Sequence, residues 1–218
     1  MIETMEEKIK RVGILGGTFN PPHLGHQIMA QTAWETCRLD EVVFLPTGTV
    51  PHKDNAVILP AVHRLEMVQR ITEGNAHFSV CAVEAKQRKV GYTAETLETL
   101  HGIYKDAALY FLLGADSLDY IERWYQPARI FQLCTVCVFA RHGIEQARLQ
   151  KQIEKLERTF QTSIVRIEMP RIEISSTDLR KRIQEGKSIR YLVDDRVEAY
   201  IMENGLYRSQ TEGGAEHG

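Results

Sequence analysis

No stretch of this 218-residue chain approaches the roughly 18 consecutive apolar residues of a membrane span. Its first residues, MIETMEEKIKR, are acidic and polar, without the basic start and apolar run of a secretory signal. Both absences lead us to expect a cytoplasmic protein with no membrane partner. One-sided charge is missing too. The 27 Lys and Arg nearly balance the 29 Asp and Glu, leaving a formal net charge of −2. No global basic field therefore recruits nucleic acid, and Arg180-Lys181-Arg182 is too small a cluster to do so. Cysteine is scarce, with four in all. Cys134 and Cys137 form a CxxC, but no second CxxC or CxxH completes a metal site. In the apolar run LCTVCVFA a strand turns positions i and i+3 to opposite faces, so we read both as core residues. Clustered carboxylates are also lacking, and no protein metal cage is expected. Neither GxGxxG after the first apolar run nor a Walker GxxxxGK[ST] is present, which argues against a standard dehydrogenase or P-loop NTPase.

What is present is ordinary for a globular protein: 43% apolar and 26% charged residues. The length suits one well-buried domain. We expect that domain over residues 1–208, with the polar, glycine-rich 209–218 as a disordered tail. Strand and helix signals alternate. Strands are read at 12–16, 41–47, 78–85, 108–115, 135–141 and 163–169, the fourth so apolar that it should be central. Helices are read at 23–37, at 60–74 behind Pro60, at 93–103, as a short piece from Asp116, at 145–160, and at 176–185 and 194–203. This alternation implies an α/β fold: a doubly wound, Rossmann-like parallel sheet of about six strands with C-terminal helices. In such sheets ligands bind beyond the carboxyl ends of the strands, where the strand order reverses.

Five of the six expected strand ends carry polar groups suited to phosphate. They are Gly16-Gly17-Thr18-Phe19, Thr47-Gly48 leading to Pro51-His52-Lys53, Gly114-Ala115-Asp116, Arg141-His142-Gly143, and Ser175-Ser176-Thr177 followed by Arg180. In the first loop the glycines let backbone amides approach a ligand. A helix starting near Leu24 aims its free N–H groups at the same place. His23 and His26 stand three apart on that opening turn and can face one ligand, with Gly25 leaving space against them. An anion there favours their charged form.

GGTFNPPHLGH resembles the HxGH signature of the nucleotidyltransferase superfamily, and ISSTDLR (174–180) resembles its second signature, ISSTxIR. Within the superfamily the chain is most similar to the nicotinate-mononucleotide adenylyltransferases, from about residue 11 to 207. Pro51-His52-Lys53, His63-Arg64-x-x-Met67, Gly91-Tyr92-Thr93-x-x-Thr96 and Gly114-Ala115-Asp116-Ser117 with Trp124 all look like segments of that family. Three positions depart from it: Gly91 replaces a usual serine, Asn20 a frequent aspartate, and His142 a usual proline.

The resemblance implies adenylyl transfer from ATP, with Mg²⁺, to nicotinate mononucleotide. It implies that His23, His26, Lys53 and Arg180 are catalytic. It implies that Gly16, Gly17, Thr18, Phe19, Gly114, Asp116, Ser175, Ser176 and Thr177 join His23, His26 and Arg180 around ATP. It gives the acceptor side to Lys53, Tyr92, Thr93, Trp124 and Arg141, with Trp124 stacked on the pyridine ring. Other readings stay open for several of these: Tyr92-Thr93 as a plain helix start, Trp124 as core, Arg64 as a solvated helix cation, and Asp116 as a helix cap contacting ribose. Nicotinamide mononucleotide and phosphopantetheine remain alternative acceptors, as does a non-catalytic nucleotide sensor on the same fold. Self-association into a homo-oligomer is left open.

Overall fold

The computed structural model describes residues 9–48, 58–86, 91–141 and 146–208. Lys53 with Pro51 and His52, His142-Gly143, and the expected tail at 209–218 lie outside the described residues, as does the side chain of Arg141. Six strands form one sheet: β1 (Arg11–Gly17), β2 (Glu41–Pro46), β3 (Phe78–Val80), β4 (Ala108–Gly114), β5 (Thr135–Arg141) and β6 (Ile164–Met169). All pair in parallel, in the order β3-β2-β1-β4-β5-β6. The order reverses between β1 and β4, and β4 is central, as its apolar sequence indicates.

Eight α-helices are described, with a 3-10 turn at Ile121–Arg123: α1 (Leu24–Thr36), α2 (Ala61–Thr72), α3 (Thr93–Ile103), α4 (Ala115–Leu118), α5 (Pro127–Leu133), α6 (Gln146–Phe160), α7 (Ser176–Gln184) and α8 (Asp195–Glu203). Strand residues alternate between two buried clusters, as a period of two requires. Val12 and Ile14 enter one cluster with Leu97, Leu100, Ile130 and Leu156 of α3, α5 and α6. Leu15 enters the other with Ala30, Met67, Leu179 and Val197 of α1, α2, α7 and α8. Cys134 falls in the first cluster and Cys137 in the second, so the CxxC does face two ways. All four cysteines are free thiols. Among the described residues no helix is long and apolar enough to cross a membrane.

Two expectations are corrected. The strand read at 78–85 stops at Val80; after Cys81 N–H bonds to Phe44 O at 3.0 Å the chain turns away, because this edge strand has only β2 to pair with. A helix that was not read, α5, begins at Pro127 behind Gln126, whose φ is +48°.

Candidate active site

The carboxyl end of β1 leads through Thr18–Pro22 to His23, which is the N-cap of α1. Here the backbone folds tightly. A Cβ on Gly17 would stand 3.0 Å from the Phe19 ring, and one on Gly25 would stand 2.9 Å from His23 Nδ1. A side chain at either position would therefore press on the neighbouring ring and displace it. The His23 backbone N–H donates to His26 Nδ1 at 3.1 Å, and the two rings stack with centroids 3.8 Å apart. Phe19 is buried in the second cluster, edge-on to the His26 ring at 4.9 Å, so its side chain belongs to the core. Burial holds the His23 pKa down at about 4. Burial first, and then the neighbouring His23, pushes His26 well below the usual histidine value. Both imidazoles are thus neutral here at pH 7. His23 Nδ1 is buried without a hydrogen-bond partner among the described residues.

The first turn of α1 offers fewer free amides than its sequence suggests. Leu24 N–H bonds to Leu192 O at 3.1 Å and His26 N–H to His23 O at 2.9 Å. The more open helix start is that of α7. Ser175 caps it, accepting from Asp178 N–H at 3.1 Å, while the N–H groups of Ser176 and Thr177 have no partner within the helix. This end is docked onto the first loop. Ser176 Oγ donates to Pro21 O at 2.8 Å, and Arg180 donates from Nη1 to Asn20 O at 2.9 Å and from Nη2 to Thr177 Oγ1 at 3.3 Å. Two motifs 160 residues apart therefore meet at the end of β1.

Two residues given little weight in the sequence hold this junction. Arg64 is not a solvated cation: it is 3% exposed and donates to Leu59 O at 3.0 Å, Thr18 O at 2.9 Å and Thr47 O at 2.8 Å. It ties the ends of β1 and β2 to the start of α2. Its spacing held the signal, since it shares one helix stripe with the buried Met67, Val68 and Ile71. Asn20 is also buried, and its Oδ1 accepts from Leu59 N–H at 3.2 Å and Tyr207 OH at 2.9 Å.

Beside this junction a cavity of about 490 Å³ opens at the ends of β1, β2 and β4. Its walls include Gly16, Gly17, Thr18, Thr93, Trp124 and Glu84, a group the sequence did not single out. The volume suits a mononucleotide-sized ligand. Trp124 is half-buried, edge-on to Phe111 at 6.3 Å, and lines the cavity as well as packing on the core. Tyr92 precedes α3 without a side-chain cap; its exposed ring lies against Tyr125 at 4.6 Å rather than in the cavity wall. Gly114, not Asp116, is the N-cap of α4, and Asp116 stands exposed in the first turn. A larger groove of about 760 Å³ beside α6 is lined by exposed, ion-paired charges such as Arg148–Asp119 and Lys155–Glu122.

Residues 14–182 match the cytidylyltransferase-like family. A "probable nicotinate-nucleotide adenylyltransferase" of Thermomicrobium roseum is 40% identical over 201 residues, covering 92% of this chain and 93% of that one. The chain belongs to this family. Its relative of the same name in Caldicellulosiruptor saccharolyticus is 40% identical, covering 91% and 99%. The fold is shared with the Plasmodium falciparum nicotinic acid mononucleotide adenylyltransferase complexed with NaAD, at a TM-score of 0.74, 18% identity and coverage of 91% and 97%.

Proposed function

We propose that the protein transfers the adenylyl group of ATP to nicotinate mononucleotide, forming nicotinate adenine dinucleotide and pyrophosphate in NAD biosynthesis. The observation that carries this reading is the docking of the α7 start and Arg180 onto the loop of His23 and His26, at the sheet's switch point and beside a mononucleotide-sized cavity. Two polyanions must be brought together here, and donors from both motifs converge on one place. The setting is cytoplasmic, and the relatives' names support the reaction.

An oxygen of the mononucleotide phosphate attacks the α-phosphorus of ATP and forms the new P–O bond. The bond to the bridging oxygen breaks, and pyrophosphate leaves with its electron pair. The nucleophile is already anionic at neutral pH, with a second pKa of about 6, so no general base is needed. The work is positioning and charge stabilisation. His23 and His26 reach the phosphates as neutral donors whose charged form an anion favours. The N–H groups at the start of α7, with Ser175, Ser176 and Thr177, receive the outer phosphates. Arg180, held by Asn20 and Thr177, retains further guanidinium donors for them. Gly114 and Asp116 lie toward the nucleoside. Thr93 and Trp124 take the pyridine end, with Tyr92 at the rim. Lys53 and Arg141 complete the charge balance. Mg²⁺ enters with ATP as part of the substrate, and its remaining ligands are mostly water.

The test is pyrophosphate release with MgATP and, in turn, nicotinate mononucleotide, nicotinamide mononucleotide and phosphopantetheine. Nicotinate mononucleotide should exceed the others about tenfold or more. Release with phosphopantetheine alone would overturn the acceptor, and release with none would overturn the reaction.

A further inference from the structure

Glu84 is the one charged side chain among the described residues lining the 490 Å³ cavity. It is 8% exposed. Thr96 Oγ1 donates to its Oε1 at 2.6 Å, and the Gly48 backbone N–H bonds to the same carboxyl group. A Cβ built on Gly91 would stand 3.3 Å from its Cδ and 3.5 Å from Oε2. With no side chain at position 91 the Gly91 backbone packs close against the carboxyl group, and Glu84 still contributes to the cavity wall. Its partners are Thr96 of α3, the Gly48 backbone beyond β2 and the close-packed Gly91, and the rest of the cavity wall, Thr47 and Thr93 included, carries no other charged side chain among the described residues.

An acidic group in this wall is unexpected if the ligand's ring bears a carboxylate. Two carboxylates in one cavity repel, and one of them then takes up a proton. A ring carboxamide behaves differently, because its NH₂ can donate to an ionised carboxylate. We propose that Glu84 is a specificity-determining residue of the acceptor pocket: carrying a proton, its carboxyl group admits a ring carboxylate, and ionised, it turns the pocket toward a ring carboxamide. This rests on the reading of the cavity as the acceptor site. Burial favours the neutral form by pushing the Glu84 pKa above the usual carboxylate range, and the bonds from Thr96 and Gly48 only partly offset it.

The experiment is the ratio of kcat/KM for nicotinate over nicotinamide mononucleotide, with MgATP, across about pH 5 to 9. The acceptor's phosphate, the ATP phosphates and both histidines are common to the two reactions, so their ionisation cancels in the ratio. In the unaltered protein the ratio should fall about tenfold or more as pH rises through the Glu84 pKa. Glu84→Gln should flatten the profile. Thr96→Val removes a bond that favours the ionised form, so it should move the fall to higher pH. A flat ratio in the unaltered protein would overturn the proposal and leave the proposed reaction standing. So would a fall that persists unchanged in Glu84→Gln. Turnover with neither pyridine nucleotide would overturn the reaction and this proposal with it.

Discussion

Arg180 donates from Nη1 to the carbonyl oxygen of Asn20 at 2.9 Å, across 160 residues of sequence. The same guanidinium reaches Thr177 Oγ1 at 3.3 Å. The planar fork thus fixes the start of α7 to the loop before His23, and a single ammonium cannot hold both partners in that way. Arg180→Ala should lower turnover by about two orders of magnitude or more. Arg180→Lys should recover only part of it. Steady-state kinetics of pyrophosphate release check both. Full recovery by lysine would mean that charge alone matters at this position.

His26→Ala should cut turnover by about two to three orders of magnitude through lost charge stabilisation. Because His26 Nδ1 accepts from the His23 N–H, the substitution should also cost about 1 kcal/mol of stability. Gly25→Ala tests the same pair from the other side, since its Cβ would stand 2.9 Å from His23 Nδ1 and displace the ring. It should lower kcat without unfolding the protein. Unaltered turnover in either variant would remove the pair from the mechanism.

Arg64→Met should destabilise the protein by about 3 kcal/mol, because it removes a buried guanidinium that donates to three part-buried carbonyl oxygens. Urea unfolding measures this. A loss below about 1 kcal/mol would mean that the carbonyls find other partners.

The neutral histidines make stability pH-dependent. Their folded pKa values lie below 6.5, at about 4 for His23, so the unfolded chain binds more protons as pH falls. Stability should therefore be full above about pH 6.5 and decline from there toward pH 4, by up to about 3 kcal/mol from His23 alone. Unfolding at pH 7 and pH 5 compares the two, and His23→Asn should shrink the difference. Equal stability at both would contradict the burial of these rings.

Trp124→Ala should raise the KM for the mononucleotide more than that for ATP, since Trp124 lines the cavity and no α7 residue does among those described. The reverse pattern would put the tryptophan on the ATP side.

Much of this architecture is legible in the sequence because its signals are local. α3 at Thr93–Ile103 and β5 at Thr135–Arg141 have the bounds that glycine, polar turns and apolar runs mark out. α5 is too short, at seven residues, to show a helical period. The length of β3 is decided by its single partner strand and not by its own composition. Within the site, the two motifs are visible as strings that include the joining Ser176 and Arg180, but the partners that hold the surrounding residues are not. Asn20 acquires its role from Tyr207, 187 residues away, and Glu84 from a helix and a strand end that the sequence leaves unconnected. Arg64 could have been found, because an arginine on an apolar helix stripe must be either paired or buried at high cost.

The central claim is direct transfer between two gripped polyanions. The measurement that tests it most directly is the stereochemical course with ATP made chiral at the α-phosphorus by a single sulfur, using nicotinate mononucleotide as acceptor. One in-line step predicts a dinucleotide with inverted configuration and an equal amount of pyrophosphate. Retention would reveal a covalent enzyme intermediate, and absence of the dinucleotide would contradict the reaction itself.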